Sequence, residues 1–135
     1  STEIINILDR VKPPYNINQA TQELALEALQ HVDQVNEMIR EIVDMRTELT
    51  AVFNKMPLVQ TVYPSDANFL LVKVIDAPGV YDYLLQEGIV VRDRSKVELC
   101  EDCLRITIGT EQENTVLVDA LIKYMKSKIK TTGKI

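Results

Sequence analysis

No stretch of this sequence stays apolar over the roughly 20 residues that a helix needs to cross a lipid bilayer. The sequence also opens without the charged segment and apolar run of a secretory leader. We therefore expect a soluble, cytoplasmic protein. With 135 residues, the chain is long enough for one domain with a single modest hydrophobic core.

Glycine, cysteine and histidine are too scarce for several kinds of site. The four glycines are scattered, which argues against a loop that cradles a phosphate group. Cys100 and Cys103 lack the two further ligands of a structural zinc site, since His31 is the only histidine and lies far away in the sequence. A redox pair usually stands at the start of a helix, whereas these cysteines stand beside a predicted strand. We therefore expect two reduced thiols and no metal site.

Clustered positive charge is also missing. The formal net charge is −5, whereas a nucleic-acid surface needs clustered cations to contact phosphates. The lysines gather only between Lys123 and Lys134, where they suit the C-terminal end of a helix dipole. We therefore expect neither a nucleic acid nor a membrane as a partner.

The spacing of apolar residues predicts a mixed order of helices and strands. The predicted helices cover residues 2–10, 17–29, 35–53, 77–87 and 111–125, and the predicted strands cover residues 59–63, 68–74, 89–91 and 104–108. Strands and helices do not alternate regularly, so the pattern predicts the α+β class. The expected fold is a small antiparallel or mixed sheet of about four strands with helices packed on one face.

Capping residues and prolines predict where several of these elements begin and end. The predicted N-caps are Thr2, Asn18, Asp76 and Thr110, and Glu113 follows Thr110 at the spacing of a capping box. Pro13 and Pro14 end the first helix, because proline lacks the amide donor and restricts the residue before it. Residues 12–16 are therefore predicted to form an extended connector.

Two arginines stand on the predicted strands between residues 88 and 109. Alternation along residues 104–108 turns the apolar side chains toward a core and Arg105 toward water or a ligand. Arg92 stands where the preceding run ends, so the two guanidinium groups could converge on one carboxylate or phosphate. The alternative is a pair of solvated or salt-bridged surface residues, for which the candidate partners are Asp93, Glu101 and Asp102.

Four segments, taken in their order and spacing, carry a family resemblance. They are PPYNIN at residues 13–18, DANFLL at residues 66–71, GIVVRD at residues 88–93, and CLRITIG at residues 103–109 with Thr110, Glu111, Glu113 and Asn114 after it. Together they resemble the C-terminal part of the histidinol-phosphate aminotransferases. These are fold-type I enzymes that use pyridoxal phosphate.

The resemblance implies a reaction and a set of binding residues. The reaction is the reversible transfer of an amino group between histidinol phosphate and 2-oxoglutarate, a step of histidine biosynthesis. Arg105 matches the family arginine that holds the carboxylate of glutamate, and Arg92 matches an arginine that helps bind the phosphate of the other substrate. Asn68 matches an asparagine near the site, to which we assign a supporting role. A homodimer is implied for the parent enzyme.

The sequence departs from the family at the lysine that forms the Schiff base. In the family this lysine follows a serine and precedes a glycine-rich run that ends in an arginine. Ser95-Lys96 and Ser127-Lys128 are the only Ser-Lys pairs here, and no such run follows either. The resemblance therefore implies a portion of an enzyme that holds no cofactor, contains no catalytic residue and is inactive alone. Residues 1–32 would contact a large domain preceding Ser1, and residues 33–135 would form the small C-terminal domain.

Two other functions remain open on the sequence. The chain could be a free-standing α+β module that regulates by binding a small anionic ligand. It could also be a scaffold whose arginines are incidental, in which case anions would have no effect on it. Even within the family resemblance, the sequence does not separate histidinol phosphate from an aromatic amino acid as the amino donor.

Overall fold

A computed structural model describes residues 1–11 and 17–132, with side chains of the last helix described through Lys128. The predicted connector at residues 12–16 lies outside the described residues. The chain divides into two compact units, Ser1–Glu37 and Met38–Ile135.

The first unit is helical. It contains α1, Thr2–Val11, and α2, Gln19–Leu29, followed by the start of α3, Val32–Phe53. Asn18 is confirmed as the cap of α2, because its Oδ1 accepts a hydrogen bond of 2.8 Å from the amide of Thr21. The cap predicted at Thr2 is wrong. The helix already includes Thr2, and the amide of Ile5 donates to the carbonyl oxygen of Ser1.

The second unit contains a four-stranded antiparallel sheet. Its strands are β1, Val59–Val62; β2, Phe69–Val74; β3, Arg92–Asp93; and β4, Cys103–Thr107, in the spatial order β1-β2-β4-β3. Two further helices, α4 at Ala77–Gln86 and α5 at Glu111–Thr132, follow β2 and β4. The predicted α+β class and number of strands are confirmed.

One face of this sheet holds the hydrophobic core. Leu70 stands opposite Ile106, and Val72 stands opposite Leu104, and all four are buried. Because side chains alternate along a strand, these four share one face. Helical side chains join the same cluster, among them Phe53 of α3, Leu84 of α4 and Leu121 of α5. Helices α4 and α5 and the C-terminal part of α3 therefore pack on one face, as predicted, and we call it the covered face. The opposite face carries half-buried or exposed side chains, Phe69, Leu71, Lys73, Arg92, Arg105 and Thr107, and we call it the open face.

The strand predicted at residues 89–91 is wrong, since β3 comprises only Arg92–Asp93. The amide of Ile89 donates to the carbonyl oxygen of Leu84 at 2.8 Å, so it is used to close the C-terminal end of α4. Gly88 makes this reversal with φ at +78°, which glycine adopts without strain. Pairing with β4 therefore begins only at Arg92.

The predicted capping box at the start of α5 is confirmed. The amide of Glu113 donates to Oγ1 of Thr110 at 3.3 Å, and the amide of Thr110 donates to Oε2 of Glu113 at 2.8 Å. Hydrogen bonds from the backbone and the hydroxyl of Thr110 stabilise the carboxylate, so they lower the pKa of Glu113. This cap fixes the turn that leads from β4 into α5.

We expect Glu113→Ala to lower the thermal unfolding midpoint at neutral pH, because it removes one half of the capping box. A carboxylate whose pKa is lower in the folded protein stabilises it above the ordinary value of 4.5. That contribution disappears as the pH falls through the lower pKa of the folded protein. Thermal unfolding followed by circular dichroism from neutral to acidic pH measures the difference between variant and parent.

The matched control is Glu111→Ala, which removes a carboxylate from the same first turn of α5. It should change the midpoint less at neutral pH, since the hydrogen bonds of the box remain. A Glu113→Ala effect that is equally large at acidic and neutral pH would contradict this role of the carboxylate.

Candidate functional site

The two predicted arginines are direct neighbours on the open face. Arg92 of β3 and Arg105 of β4 are opposite each other in the antiparallel register. Residues in such a position point to the same face, with Cβ atoms typically about 5 Å apart, and like charges placed there destabilise a sheet. An anion bound between two guanidinium groups would remove this repulsion. The structure therefore brings together the charges that a small anionic ligand requires.

The surroundings of Arg105 hold its guanidinium group in place. Its Cζ lies 5.1 Å from the centroid of the Phe69 ring, within the range of a cation–π interaction. Leu71 stands opposite Arg105 on β2, on the side away from Arg92. The Nε atom of Arg105 is buried and has no hydrogen-bond partner among the described residues. A carboxylate or phosphate bound by the guanidinium group would accept charge-assisted hydrogen bonds from it.

The acidic residues considered as alternative partners do not neutralise these arginines. Over residues 1–11 and 17–132, no ion pair joins Arg92 or Arg105 to Asp93, Glu101 or Asp102. Asp93 stands opposite Leu104, on the other face of the sheet. The amide of Ser95 donates a hydrogen bond of 2.8 Å to Oδ1 of Asp93. The Ser95 hydroxyl and amide beside the carboxylate lower the pKa of Asp93, so its negative charge is stabilised locally. The arginine pair thus keeps its positive charge on the open face.

Asn68 is near the sheet but is not part of the open face. It directly precedes Phe69, so alternation assigns it to the side of Leu70. Its carbonyl oxygen accepts a hydrogen bond from the amide of Ile108 at 2.9 Å, which extends the pairing of β2 and β4 by one residue. The supporting role predicted for Asn68 stays a prediction.

The sequence did not predict two further side chains of the open face. Phe69 lies beneath the guanidinium group of Arg105, and Lys73 stands opposite Cys103. Both positions depend on how β2 and β4 are aligned, and no local pattern in the sequence fixes that alignment. Only the register between β2 and β4, which the structure shows, identifies these two side chains.

The described residues show no helix that could cross a membrane. Within the same residues, no group of three or more His, Cys, Asp or Glu side chains could hold a metal ion.

Comparison with known proteins gives consistent results. A family model described as aminotransferase class I and II matches residues 1–121. The histidinol-phosphate aminotransferase of Cytophaga hutchinsonii is 51% identical over 124 residues, which is 92% of this chain and 36% of that protein. The corresponding protein of Parabacteroides distasonis is 49% identical over 126 residues, 93% of this chain and 36% of that protein. The chain thus spans about a third of the length of these curated relatives.

Solved structures agree with the sequence relatives. The histidinol-phosphate aminotransferase from Clostridium acetobutylicum superposes with a TM-score of 0.82 at 26% identity, covering 94% of this chain and 39% of that one. A putative aminotransferase from Burkholderia pseudomallei superposes with a TM-score of 0.75 at 29% identity, covering 92% of this chain and 38% of that one.

Proposed function

Because the chain belongs to the aminotransferase class I and II family, we propose that residues 33–135 act as the small domain of a pyridoxal-phosphate-dependent aminotransferase. The proposed reaction is the reversible transfer of an amino group between histidinol phosphate and 2-oxoglutarate in histidine biosynthesis. The curated relatives above carry the name of this activity. A cytoplasmic location is proposed with it.

The cross-strand pair of Arg92 and Arg105 carries this proposal. A transaminase of this kind must accept the carboxylate of glutamate and the phosphate of histidinol phosphate in turn. A guanidinium group grips either anion through two parallel hydrogen bonds. We assign Arg105 to both anions, with Phe69 holding its plane, and the exposed Arg92 to the phosphate. These residues bind and orient the substrate.

The lysines that follow a serine do not fit a pyridoxal phosphate site. Lys96 is exposed in the loop between β3 and β4. Lys128 belongs to α5, which packs on the covered face, and its Nζ lies 3.5 Å from Oδ2 of Asp76. We therefore propose that the cofactor lysine lies outside this chain, and we expect the chain alone to be inactive.

Apolar helix faces support a contact with further protein. Helices α1 and α2 contain no buried residue. Their large exposed apolar side chains include Ile4, Ile5, Ile7, Leu8, Leu24, Leu26 and Leu29. We propose that residues 1–32 pack against the large cofactor domain and the partner subunit of a homodimer. Without that cover, such surfaces favour self-association.

A chimaeric enzyme tests the proposed function. The matching part of the Cytophaga hutchinsonii histidinol-phosphate aminotransferase is replaced by this chain, and amino transfer from histidinol phosphate to 2-oxoglutarate is measured. We expect a folded chimaera to be active and the isolated chain to be inactive. A folded chimaera that binds pyridoxal phosphate but does not turn over histidinol phosphate, while aromatic amino acids serve as donors, would reject the proposed substrate.

The regulatory alternative rests on the same arginines and makes a different prediction. A free-standing anion-binding module would bind phosphate as the isolated chain but would give an inactive chimaera with every amino donor. Activity of the chimaera therefore separates the two functions.

We expect inorganic phosphate to raise the thermal unfolding midpoint of the isolated chain, because a ligand that binds only the folded state stabilises it by mass action. At a phosphate concentration ten times the dissociation constant, the free energy of unfolding rises by about 1.4 kcal/mol. Arg92→Ala and Arg105→Ala should each diminish the gain. Thermal unfolding at constant ionic strength, with chloride replacing phosphate, measures it.

The control variant is Arg40→Ala, which removes an exposed arginine of α3 and leaves the open face intact. It should retain the full gain. Equal gains for all variants would mean that phosphate acts through general screening, and the arginine pair would not be an anion site in this chain.

A further inference from the structure

One tight turn begins at Cys100, in the loop that joins β3 to β4, and ends at Cys103, the first residue of β4. Three successive turns make up this loop, and in the last one the amide of Cys103 donates to the carbonyl oxygen of Cys100 at 3.0 Å. A hydrogen bond between the first and fourth residues of a turn brings their Cα atoms to less than about 7 Å. A disulfide requires Cα atoms about 4.4–6.8 Å apart. The backbone therefore already has a spacing suited to a bond between Cys100 and Cys103.

The side chain of Cys103 lies against this turn. Its Sγ atom donates to the carbonyl oxygen of Glu101 at 3.6 Å, and Glu101 is the residue next to Cys100. Asp102 has φ at +58°, the left-handed conformation that several tight turns require at their third residue. Aspartate is one of the few residues besides glycine that adopt this conformation readily. Asp102 therefore suits the position that closes the turn between the two thiols.

The two thiols differ in exposure and in electrostatic surroundings. Cys100 is half-buried, whereas Cys103 is fully buried. Burial and the neighbouring Cys100 raise the pKa of Cys103, while the ammonium group of Lys73, opposite it on β2, acts to lower it. A reagent from solution therefore meets Cys100 first. Cys103 is positioned to attack a sulfur atom within the protein, that of Cys100.

We propose that Cys100 and Cys103 form a reversible intramolecular disulfide by exchange with a low-molecular-weight disulfide such as glutathione disulfide. The Cys100 thiolate attacks one sulfur of the reagent, forming a mixed disulfide and releasing one glutathione. The Cys103 thiolate then attacks Sγ of Cys100, forming the protein disulfide and releasing the second glutathione. Two electrons pass from the cysteines to the reagent, and the two thiol protons end on the released glutathione molecules.

This inference does not depend on the proposed aminotransferase function. The sequence argued against a redox pair, because the cysteines of such a pair usually stand at the start of a helix. The turn supplies the required proximity without a helix.

Mass spectrometry of the whole chain under native conditions tests the proposal. The reduced chain is incubated with glutathione disulfide, quenched by alkylation, and analysed as intact protein and as peptides. We expect a product lighter by two hydrogen atoms, with Cys100 and Cys103 linked and no glutathione retained. Dithiothreitol should return it to the starting mass. Cys103→Ser should stop at a mixed disulfide on Cys100, and Cys100→Ser should react several-fold more slowly.

A second variant tests the ring-closing step without removing a thiol. Lys73→Met should slow the conversion of the mixed disulfide several-fold while the first exchange keeps its rate, and Lys55→Met, an exposed lysine after α3, serves as the control. Circular dichroism verifies that each variant is folded. Stable glutathione on Cys100 of the folded parent, without the closed product, would overturn the proposal, as would thiols that exchange only after denaturation.

Discussion

Arg105→Met in the chimaeric enzyme is expected to lower kcat/KM for glutamate by about 100-fold. Hydrogen bonds to charged groups contribute about 1.5–3 kcal/mol, and a bidentate pair lies at the upper end of this range. Each 1.36 kcal/mol corresponds to a factor of ten in rate. Methionine keeps most of the length of the side chain over Phe69, so the change removes the fork and its charge with little loss of packing. Steady-state kinetics with glutamate and with histidinol phosphate measures both half-reactions.

The conservative variant Arg105→Lys separates charge from geometry. Lysine retains the positive charge but lacks the planar fork, so we expect an intermediate loss of about 10-fold. Arg40→Ala is the control for loss of an arginine elsewhere in the second unit. A folded chimaera with Arg105→Met that keeps nearly all of its activity toward glutamate would contradict the assigned role.

Phe53→Ala is expected to destabilise the chain by about 3–5 kcal/mol, the usual cost of truncating a buried phenylalanine. Phe53 belongs to α3, has no exposed surface and packs in the core under the covered face of the sheet. Its removal leaves a cavity that the sheet and helices fill only in part. Urea unfolding of the isolated chain, followed by circular dichroism, measures the loss.

The other phenylalanine of the chain is the matched control, because it lies on the opposite face. Phe69 is half-buried and contacts the guanidinium group of Arg105. Phe69→Ala should lower the free energy of unfolding by about 1 kcal/mol, because it removes an exposed cation–π contact and some packing. It should also weaken phosphate binding. Equal destabilisation by the two substitutions would contradict the division into a covered face and an open face.

Features that depend on neighbouring residues were largely predictable from the sequence. The caps at Asn18 and Asp76 and the capping box of Thr110 with Glu113 form within one turn of a helix. The order of elements, the α+β class and the single helix-covered face also followed from apolar spacing. The strand expected at residues 89–91 failed because the end of α4 uses the amide of Ile89, a competition that residue propensity does not reveal.

Features that depend on strand alignment were predicted only in part. Alternation correctly separated Arg105 from the buried Leu104 and Ile106. It placed Cys103 on the same face as Arg105 as well, yet Cys103 is fully buried, since the turn before it folds against its side chain. The sequence gives no register between β2 and β4, so the stacking of Phe69 on Arg105 and the position of Lys73 could not be predicted.

A double-mutant cycle on Arg92 and Arg105 tests most directly whether the two arginines bind one anion. In the chimaeric enzyme, kcat/KM for histidinol phosphate is measured for the parent, for each alanine variant and for the double variant. Two groups that contact the same phosphate should be coupled by about 1 kcal/mol or more, whereas independent sites add to within about 0.5 kcal/mol. Strong coupling would support a shared anion site on the open face. Additive effects would contradict it and leave two separate surface charges.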